Sequence, residues 1–392
     1  MSAKINLHAE ELKVFLTYIH NNNQLLISKG LPAQTVNIEG EAGGGKTSAV
    51  IQLAKELNME VVRRNLAELE DVSDLVGYPC KEHEMIKDTT KKWVVEGSIP
   101  QYITAGYKPT GEKKMTHAQP EWIQGKDKPM ILLLDDYSRA SEKFIQATMT
   151  LLENQSYNNW SLPKGSFILL TSNPDNGEYS VSALDNAQKT RVINVNYKFN
   201  VEVWARWAEK TGIDGRCVNF LLLHPELLED NAQLNARTVT MFFNSLMSLK
   251  DFSAELPLIQ QLGEGTTSSE FSTMFTTFIN NKLDKLVTPK DMLLHDNESY
   301  IIGEIKSCMT DAQGYRADIA SVLATRLINF TINYAEDNTI SQKVTDRLIR
   351  YATDDLFTND LKYIIIKKII NANKQKFQKL MLNSDVVKMA MK

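Results

Sequence analysis

The stretch Val36–Val50 constrains the fold of this chain more than any other, because it combines a glycine-rich loop with a lysine and a threonine. It fits the pattern G-x-x-x-x-G-K-[ST], the P-loop, in which backbone N–H groups surround phosphate groups. The backbone can approach an anion this closely only where side chains are missing. We therefore expect a phosphate-binding site made of the consecutive residues Gly40, Glu41, Ala42, Gly43, Gly44, Gly45, Lys46, Thr47 and Ser48.

The flanking sequence predicts the strand and the helix that such a loop requires. An alternating β-prone run, Thr35–Ile38, precedes the loop, and Ser48–Leu57 has helical spacing. The N-terminus of that helix would direct partial positive charge at a bound anion. Lys46 would reach the β- and γ-phosphates of a nucleotide such as ATP, and the hydroxyl group of Thr47 would be a ligand of Mg²⁺.

Two carboxylates follow a run of apolar residues further along the chain. The run Met130–Leu134 predicts a strand buried on both faces of a parallel sheet, and Asp135 and Asp136 come directly after it. Open α/β sheets bind their ligands at the carboxyl ends of the strands. We predict that Asp135 holds Mg²⁺ through water and that Asp136 polarises the water that attacks the nucleotide.

A polar amide follows the next predicted strand. This strand, Ser166–Leu170, leads into Asn173, which could orient the attacking water beside the γ-phosphate; the alternative is a simple Asn-Pro turn. A short alternating strand, Val192–Tyr197, completes the predicted sheet. The order of strands and helices predicts βαβ units with a parallel sheet.

These patterns predict an α/β fold, the three-layer αβα sandwich of a P-loop NTPase, followed by a small helical lid domain and a helical C-terminal region. The predicted segments are an N-terminal helical segment 1–32, a P-loop core 33–199, a lid 200–250 and a C-terminal region 251–392. Inside the core, an insert at about 80–128 has no long periodic run, so we expect it to lack regular structure. Residues Gly263–Ser269 are predicted to be a linker.

Composition and charge restrict the possible partners. The net charge of −4 gives the whole chain no attraction to nucleic acid or to an anionic membrane. The sequence contains no run of about 18 apolar residues, so no membrane span is predicted. The first residues lack the apolar segment of a signal peptide. The three cysteines are scattered, without the spacing of a disulfide framework or a zinc site. We therefore expect a cytoplasmic protein.

With these motifs in this order, the chain resembles AAA+ ATPases, most closely the MoxR-like branch with its dynein- and midasin-related relatives. The resemblance covers about residues 33–250. The motifs that carry it are GEAGGGKT at Gly40–Thr47, DLVG at Asp74–Gly77, LLLDDYSRA at Leu132–Ala140, LTSNP at Leu170–Pro174 and ALDNAQKTR at Ala183–Arg191.

The resemblance implies an ATP-hydrolysing protein that forms a homo-oligomeric, typically hexameric ring and remodels a protein partner in a chaperone-like way. For the MoxR-like branch, that partner is typically a von Willebrand factor A domain protein. The resemblance also implies that Asn173 is sensor 1, that Arg191 is the arginine finger completing a neighbour's site, and that Arg237 is sensor 2. For both arginines, the alternative is a surface position without a catalytic role.

Two departures from the family pattern leave other functions open. Asp136 stands where the family usually has glutamate, and Thr190 replaces the acid that commonly precedes the finger arginine. Because the shorter Asp136 side chain holds its carboxylate farther from the attacking water, the chain could be a nucleotide-gated assembly module with weak turnover. A DNA-directed machine, such as a loader or packaging accessory, is a third hypothesis. The net charge argues against it, although a local basic patch could form from Lys113, Lys114, Lys126 and Lys128.

Overall fold

The computed structural model of the protein describes residues 5–175, 186–228, 234–280, 286–312 and 314–390. The chain divides into two compact units, Met1–Lys198 and Phe199–Lys392. Among the described residues, no helix combines the length and the apolar character needed to cross a membrane.

The first unit alternates strands and helices. Its strands are β1 (Ile5–Leu7), β2 (Thr35–Glu39), β3 (Glu60–Asn65), β4 (Tyr78–Lys87), β5 (Thr90–Val95), β6 (Lys108–Ala118), β7 (Met130–Asp135), β8 (Ser156–Tyr157), β9 (Trp160–Ser161), β10 (Phe167–Ser172) and β11 (Val192–Tyr197). Its helices are α1 (Ala9–Ser28), α2 (Lys46–Glu56), α3 (Ser73–Val76), α4 (Ile99–Thr104), α5 (Glu142–Asn154) and α6 (Asn186–Lys189).

A six-stranded parallel sheet in the order β1-β11-β2-β10-β7-β3 forms the centre of this unit. Successive residues of β7 pack against opposite layers, as expected for a strand buried on both faces. Ile131 and Leu133 lie in the apolar cluster that includes α1 and α2, whereas Leu132 and Leu134 lie in the cluster that includes α5. The predicted α/β P-loop NTPase architecture, a parallel sheet between two helical layers, is therefore confirmed.

The beginning of the chain contributes a strand that its sequence does not reveal. Residues Ile5–Leu7 pair in parallel with β11 at the edge of the sheet, and Leu12 and Leu16 of α1 are fully buried against it. Three residues are too short for a period-2 pattern, which explains why only the helix is predicted from the sequence.

The insert is regular, so the expectation of irregular structure at about 80–128 is wrong. Strands β5, β4 and β6 form a three-stranded antiparallel sheet in that order. Most of its side chains are exposed, and only a few apolar ones, such as Met85 and Val94, are buried. A strand that buries so few residues shows little hydrophobic alternation, and this alternation is the signal by which strands are predicted.

The second unit is helical and confirms the expected helical part after the sheet. Its short strands β12 (Thr310–Asp311) and β13 (Gly314–Tyr315) pair with each other. Its helices are α7 (Val201–Thr211), α8 (Gly215–Leu223), α9 (Ala236–Ser245), α10 (Leu256–Thr266), α11 (Ser269–Asn280), α12 (Pro289–Leu294), α13 (Glu298–Cys308), α14 (Ala317–Asp337), α15 (Gln342–Thr353), α16 (Asn359–Ala372), α17 (Gln378–Met381) and α18 (Ser384–Ala390).

The predicted linker at Gly263–Ser269 is wrong, because most of it is the last turn of α10. A Cβ atom on Gly263 would lie 2.3 Å from the Oγ atom of Ser272 in α11. The glycine therefore allows two helices to pack closely, and the composition that reads as a flexible linker serves a helix contact.

A buried ion pair joins three helices of the second unit. The Nε atom of Arg326, in α14, donates to Oε1 of Glu209 in α7 at 2.8 Å, and its Nη1 atom donates to Oδ1 of Asn219 in α8 at 2.9 Å. Both charged side chains are almost completely buried. Burial raises the pKa of Glu209, although the charge and hydrogen bond of Arg326 act against that rise.

We expect Arg326→Met to lower the free energy of unfolding by about 3–5 kcal/mol at neutral pH, because it leaves a buried carboxylate without its partner. The pKa of Glu209 should rise further in this variant. A raised pKa in the folded state favours folding at low pH and loses that benefit as pH rises, so the deficit should shrink in acid. Urea unfolding at several pH values measures the loss of stability. Arg316→Met is the control, because it removes one partner of a more exposed ion pair, Arg316–Asp318. An equal loss for both variants would contradict the prediction.

Candidate active site

The glycine-rich loop connects the buried strand β2 to the first turn of α2. Gly43 and Gly45 have φ angles of +73° and +103°, in the region that favours glycine. Gly45 is also the N-cap of α2, and its carbonyl accepts from the N–H of Ala49 at 2.9 Å. The strand, loop and helix predicted around this motif are all present.

The loop packs directly on Tyr197, the last residue of β11. A Cβ atom on Gly40 would lie 2.6 Å from the backbone oxygen of Tyr197, and one on Gly45 would lie 3.3 Å from its hydroxyl oxygen. Burial raises the pKa of Tyr197 to about 12, so its hydroxyl stays protonated at neutral pH. Sequence reasoning did not identify Tyr197, because nothing local distinguishes it from any other strand residue.

The ammonium group of Lys46 joins the loop to the end of β10. Its Nζ atom donates to the carbonyl oxygens of Gly40 at 2.6 Å and Glu41 at 3.0 Å, and to Oδ1 of Asn173 at 3.1 Å. The N–H of Gly40 donates to the carbonyl of Ser172 at 3.1 Å. The structure thus brings Lys46 and Asn173, two of the predicted site residues, into direct contact.

The carboxylate of Asp135 lies at the same edge of the sheet and is buried. It accepts from the hydroxyl of Thr47, at 3.0 and 3.2 Å to its two oxygens, and from the hydroxyl of Thr171. It also accepts from Nε of Arg63, in β3, at 2.6 Å. Sequence reasoning missed Arg63 and Thr171, because their contact with Asp135 depends on strands β3 and β10 being the two neighbours of β7.

This pair of oxygen ligands fits Mg²⁺. The ion is bound through one or two protein oxygens, several waters and the phosphates of a substrate, and not by a cage of side chains. In the described parts of the chain, no group of three or more His, Cys, Asp or Glu residues could hold a metal. Thr47 and Asp135, whose oxygens lie 3.0 and 3.2 Å apart beside the glycine loop, are the side chains that would hold the ion.

Asp136 adopts a left-handed backbone conformation with φ of 53°. Its N–H donates to Oγ1 of Thr171 at 3.1 Å, which fixes the turn immediately after Asp135. Aspartate and asparagine tolerate this conformation better than most residues, since their short polar side chains can bond locally. The backbone geometry therefore gives a physical reason for aspartate at this position.

The structure places Arg191 at the amino ends of the parallel strands, whereas the glycine loop lies at their carboxyl ends. Arg191 directly precedes β11, whose first residue, Val192, is paired with Thr35 at the start of β2. The loop follows the other end of β2, roughly 17 Å away at about 3.3 Å per residue. The Nε atom of Arg191 contacts Oε1 of Glu153, at the end of α5, at 2.5 Å. Arg191 is therefore far from the loop of its own chain.

The remaining predicted site residue, Arg237, is in the second unit. It is exposed in the first turn of α9, which is capped by the side chain of Asn235. The beginning of the motif that ends at Arg191, residues 183–185, lies outside the described residues.

No protein-family model matches the sequence, and no curated protein is similar to it. Among solved structures, the chain is similar to a K64R mutant of RuvB from Thermotoga maritima. The two share 11% identity over 74% of this chain and 76% of that chain, with a TM-score of 0.33.

We expect Gly40→Ala to weaken nucleotide binding about tenfold or more, which corresponds to about 1.4 kcal/mol, because the new Cβ would push the loop away from β11. Titration with a fluorescent ATP analogue measures the effect. Gly97→Ala is the control, since a Cβ there meets nothing within 4 Å. Unchanged affinity in a folded Gly40→Ala variant would mean that the loop does not hold the phosphates.

Proposed function

We propose that the chain is an ATP-binding and ATP-hydrolysing AAA+ protein of the MoxR-like branch, which assembles into a homo-oligomeric ring and remodels a protein partner. The observation that carries this proposal is the meeting of Lys46, Thr47, Asp135 and Asn173 beside one glycine loop. Kinases and GTPases also contain P-loops. The guanine-binding pattern N-K-x-D occurs in the sequence at 281–284, but it follows helix α11 of the second unit and not a strand of the parallel sheet that carries the glycine loop.

Each residue of this group has a role in phosphoryl transfer to water. The N–H groups of the loop and the ammonium of Lys46 would bind the phosphates. Thr47 and Asp135 would hold Mg²⁺, which would supply positive charge next to the phosphate oxygens. Asn173, fixed through its N–H to Oγ of Ser138 at 3.1 Å, orients the attacking water. Asp136 accepts its proton.

Arg191 completes the site of a neighbouring subunit. Phosphoryl transfer is accelerated by an arginine that neutralises transition-state charge, and this arginine can come from another chain. The position of Arg191 at the far edge of the sheet supports a role in trans. A hexamer and a role for Arg237 as a lid residue that reaches the γ-phosphate follow from the resemblance, as does a von Willebrand factor A domain protein as partner.

The charges of the insert argue against a DNA-directed machine. Of the four lysines in the candidate basic patch, Lys114 pairs with Glu82 at 3.1 Å and Lys126 pairs with Glu60. Lys114 also lies over the ring of Trp93, with its Nζ atom 4.4 Å from the ring centroid. Lysines held by acidic and aromatic neighbours are less available to phosphates, so this patch gives little support to a DNA-directed activity.

We expect ATP to increase the size of the assembly, and Arg191→Ala to assemble while losing at least about 99% of turnover, as arginine fingers contribute about 10³–10⁵. Lys46→Ala should lose both nucleotide binding and turnover. Light scattering and phosphate release measure the two properties. Lys164→Ala is the control, because it removes an exposed positive charge at the amino ends of the strands, where Arg191 also lies.

Two results would contradict the proposal. Turnover that survives Lys46→Ala would mean that the loop is not the hydrolytic site. Wild-type turnover by a strictly monomeric protein would remove the role of Arg191 in trans.

Asp136 distinguishes hydrolysis from gated assembly. We expect Asp136→Asn, which keeps the shape of the side chain and tolerates the left-handed backbone, to bind ATP normally but to lose about 100-fold or more in turnover. Steady-state turnover and ATP titration measure this. If wild-type turnover is near zero and Asp136→Glu raises it strongly, the chain is the nucleotide-gated assembly module instead.

A further inference from the structure

A line of polar side chains crosses the middle of the parallel sheet, where apolar residues would be expected. Ser172 on β10 and Asn37 on β2 are 2% and 1% exposed, and Asn194 lies opposite Asn37 on β11. Polar groups in such positions cost free energy unless their hydrogen bonds are satisfied. Ser172 and Asn37 are buried and Asn194 is half-buried, so their hydrogen-bond partners determine what these side chains hold in place.

The three side chains form a continuous chain of hydrogen bonds. The hydroxyl of Ser172 donates to Oδ1 of Asn37 at 2.9 Å, and Nδ2 of Asn37 donates to Oδ1 of Asn194 at 3.0 Å. The Nδ2 atom of Asn194 donates to the carbonyls of Lys189 at 3.1 Å and Val192 at 3.3 Å. Asn37 thus accepts from β10 and donates to β11, whereas Asn194 accepts from β2 and donates to backbone carbonyls at and before the start of its own strand. Each amide uses both its acceptor and its donor, so neither can be replaced by a group with only one function.

This line of side chains connects the glycine loop, at the carboxyl ends of the strands, with the segment that contains Arg191, at their amino ends. At one end, the carbonyl of Ser172 accepts from the N–H of Gly40, and Asn173 follows directly. At the other end, the two carbonyls held by Asn194 enclose the short segment that contains Thr190 and Arg191. The backbone that carries Arg191 is thus fixed, through three side chains, to the glycine loop.

We propose that Asn194 and Asn37 are positioning residues for Arg191. Asn194 holds the 189–192 backbone in the orientation from which Arg191 reaches the nucleotide of the neighbouring subunit, and Asn37 fixes the amide of Asn194. The inference rests on the proposed function, because it requires Arg191 to act in trans. In addition, side chains on the inner strands of the sheet, Asn37 and Asn194, set the position of this arginine.

The first test is Asn194→Asp, which keeps the shape but turns the donor towards two carbonyls into an acceptor. ATP affinity and assembly should stay within about twofold of wild type, whereas turnover should fall roughly 10–100-fold, the range expected when a catalytic group is displaced by about 1 Å. Asn196→Asp is the matched control: it lies two residues along the same strand, and its amide donates to Asn6 of the edge strand β1. A loss of ATP affinity equal to the loss of turnover would overturn the proposal.

Mixtures of impaired variants show in which subunit Asn194 acts. Mixed with Asp136→Asn, which binds ATP and keeps Arg191 intact, Asn194→Asp should regain turnover, because its own loop then faces a correctly placed arginine. Mixed with Arg191→Ala, it should keep its low turnover, since neither chain offers such an arginine. The reversed pattern would mean that Asn194 serves its own nucleotide site, and would overturn the inference alone.

Two further results complete the design. A mixture of Asp136→Asn with Arg191→Ala should regain turnover, because the intact loop of the second variant then faces the arginine of the first. If it does not, Arg191 does not act in trans, and both that part of the proposed function and this inference fail. Thermal unfolding checks that Asn194→Asp is folded. If Asn194→Asp is unfolded, Asn194→Ser replaces it in the same mixtures, because its hydroxyl can still donate to one carbonyl. The mixture in which turnover returns then shows in which subunit Asn194 acts.

Discussion

The rest of the site depends on the hydrogen bonds of one buried ammonium group, that of Lys46. A charge buried without partners would cost several kcal/mol, and three oxygens around Lys46 compensate this cost in the structure. Two of them belong to the loop after β2, and the third belongs to Asn173 after β10. Lys46 therefore fixes the ends of two strands together, and the next residue, Thr47, extends the contact to Asp135 on β7.

The parts of this site that are encoded locally could be predicted from the sequence. The glycine pattern indicates the loop, and the apolar runs of β7 and β10 indicate which polar residues lie at strand ends. Arg63 and Tyr197 could not be predicted, because each reaches the site only through the strand order, with β3 beside β7 and β11 beside β2. The insert escaped prediction for a different reason: its strands bury too few side chains to show a period.

The left-handed backbone at Asp136 links local conformation to the rate of chemistry. The turn after β7 requires a positive φ, which aspartate tolerates better than the longer glutamate. In the proposed hydrolysis, the shorter side chain of Asp136 holds the carboxylate farther from the attacking water than glutamate would. The backbone conformation therefore favours aspartate at this position, whereas fast proton transfer in the proposed reaction would favour glutamate.

The strand β11 connects the two edges of the sheet. Its carboxyl end carries Tyr197, on which the glycine loop packs, and its amino end follows Arg191. Because a paired strand is a stiff element, a displacement of β11 along its axis would change both the support of the loop and the position of the arginine. In the proposed ring, the nucleotide pocket of one subunit and the arginine that it offers to the next would then move together, and the polar line through Asn37 and Asn194 would determine how tightly.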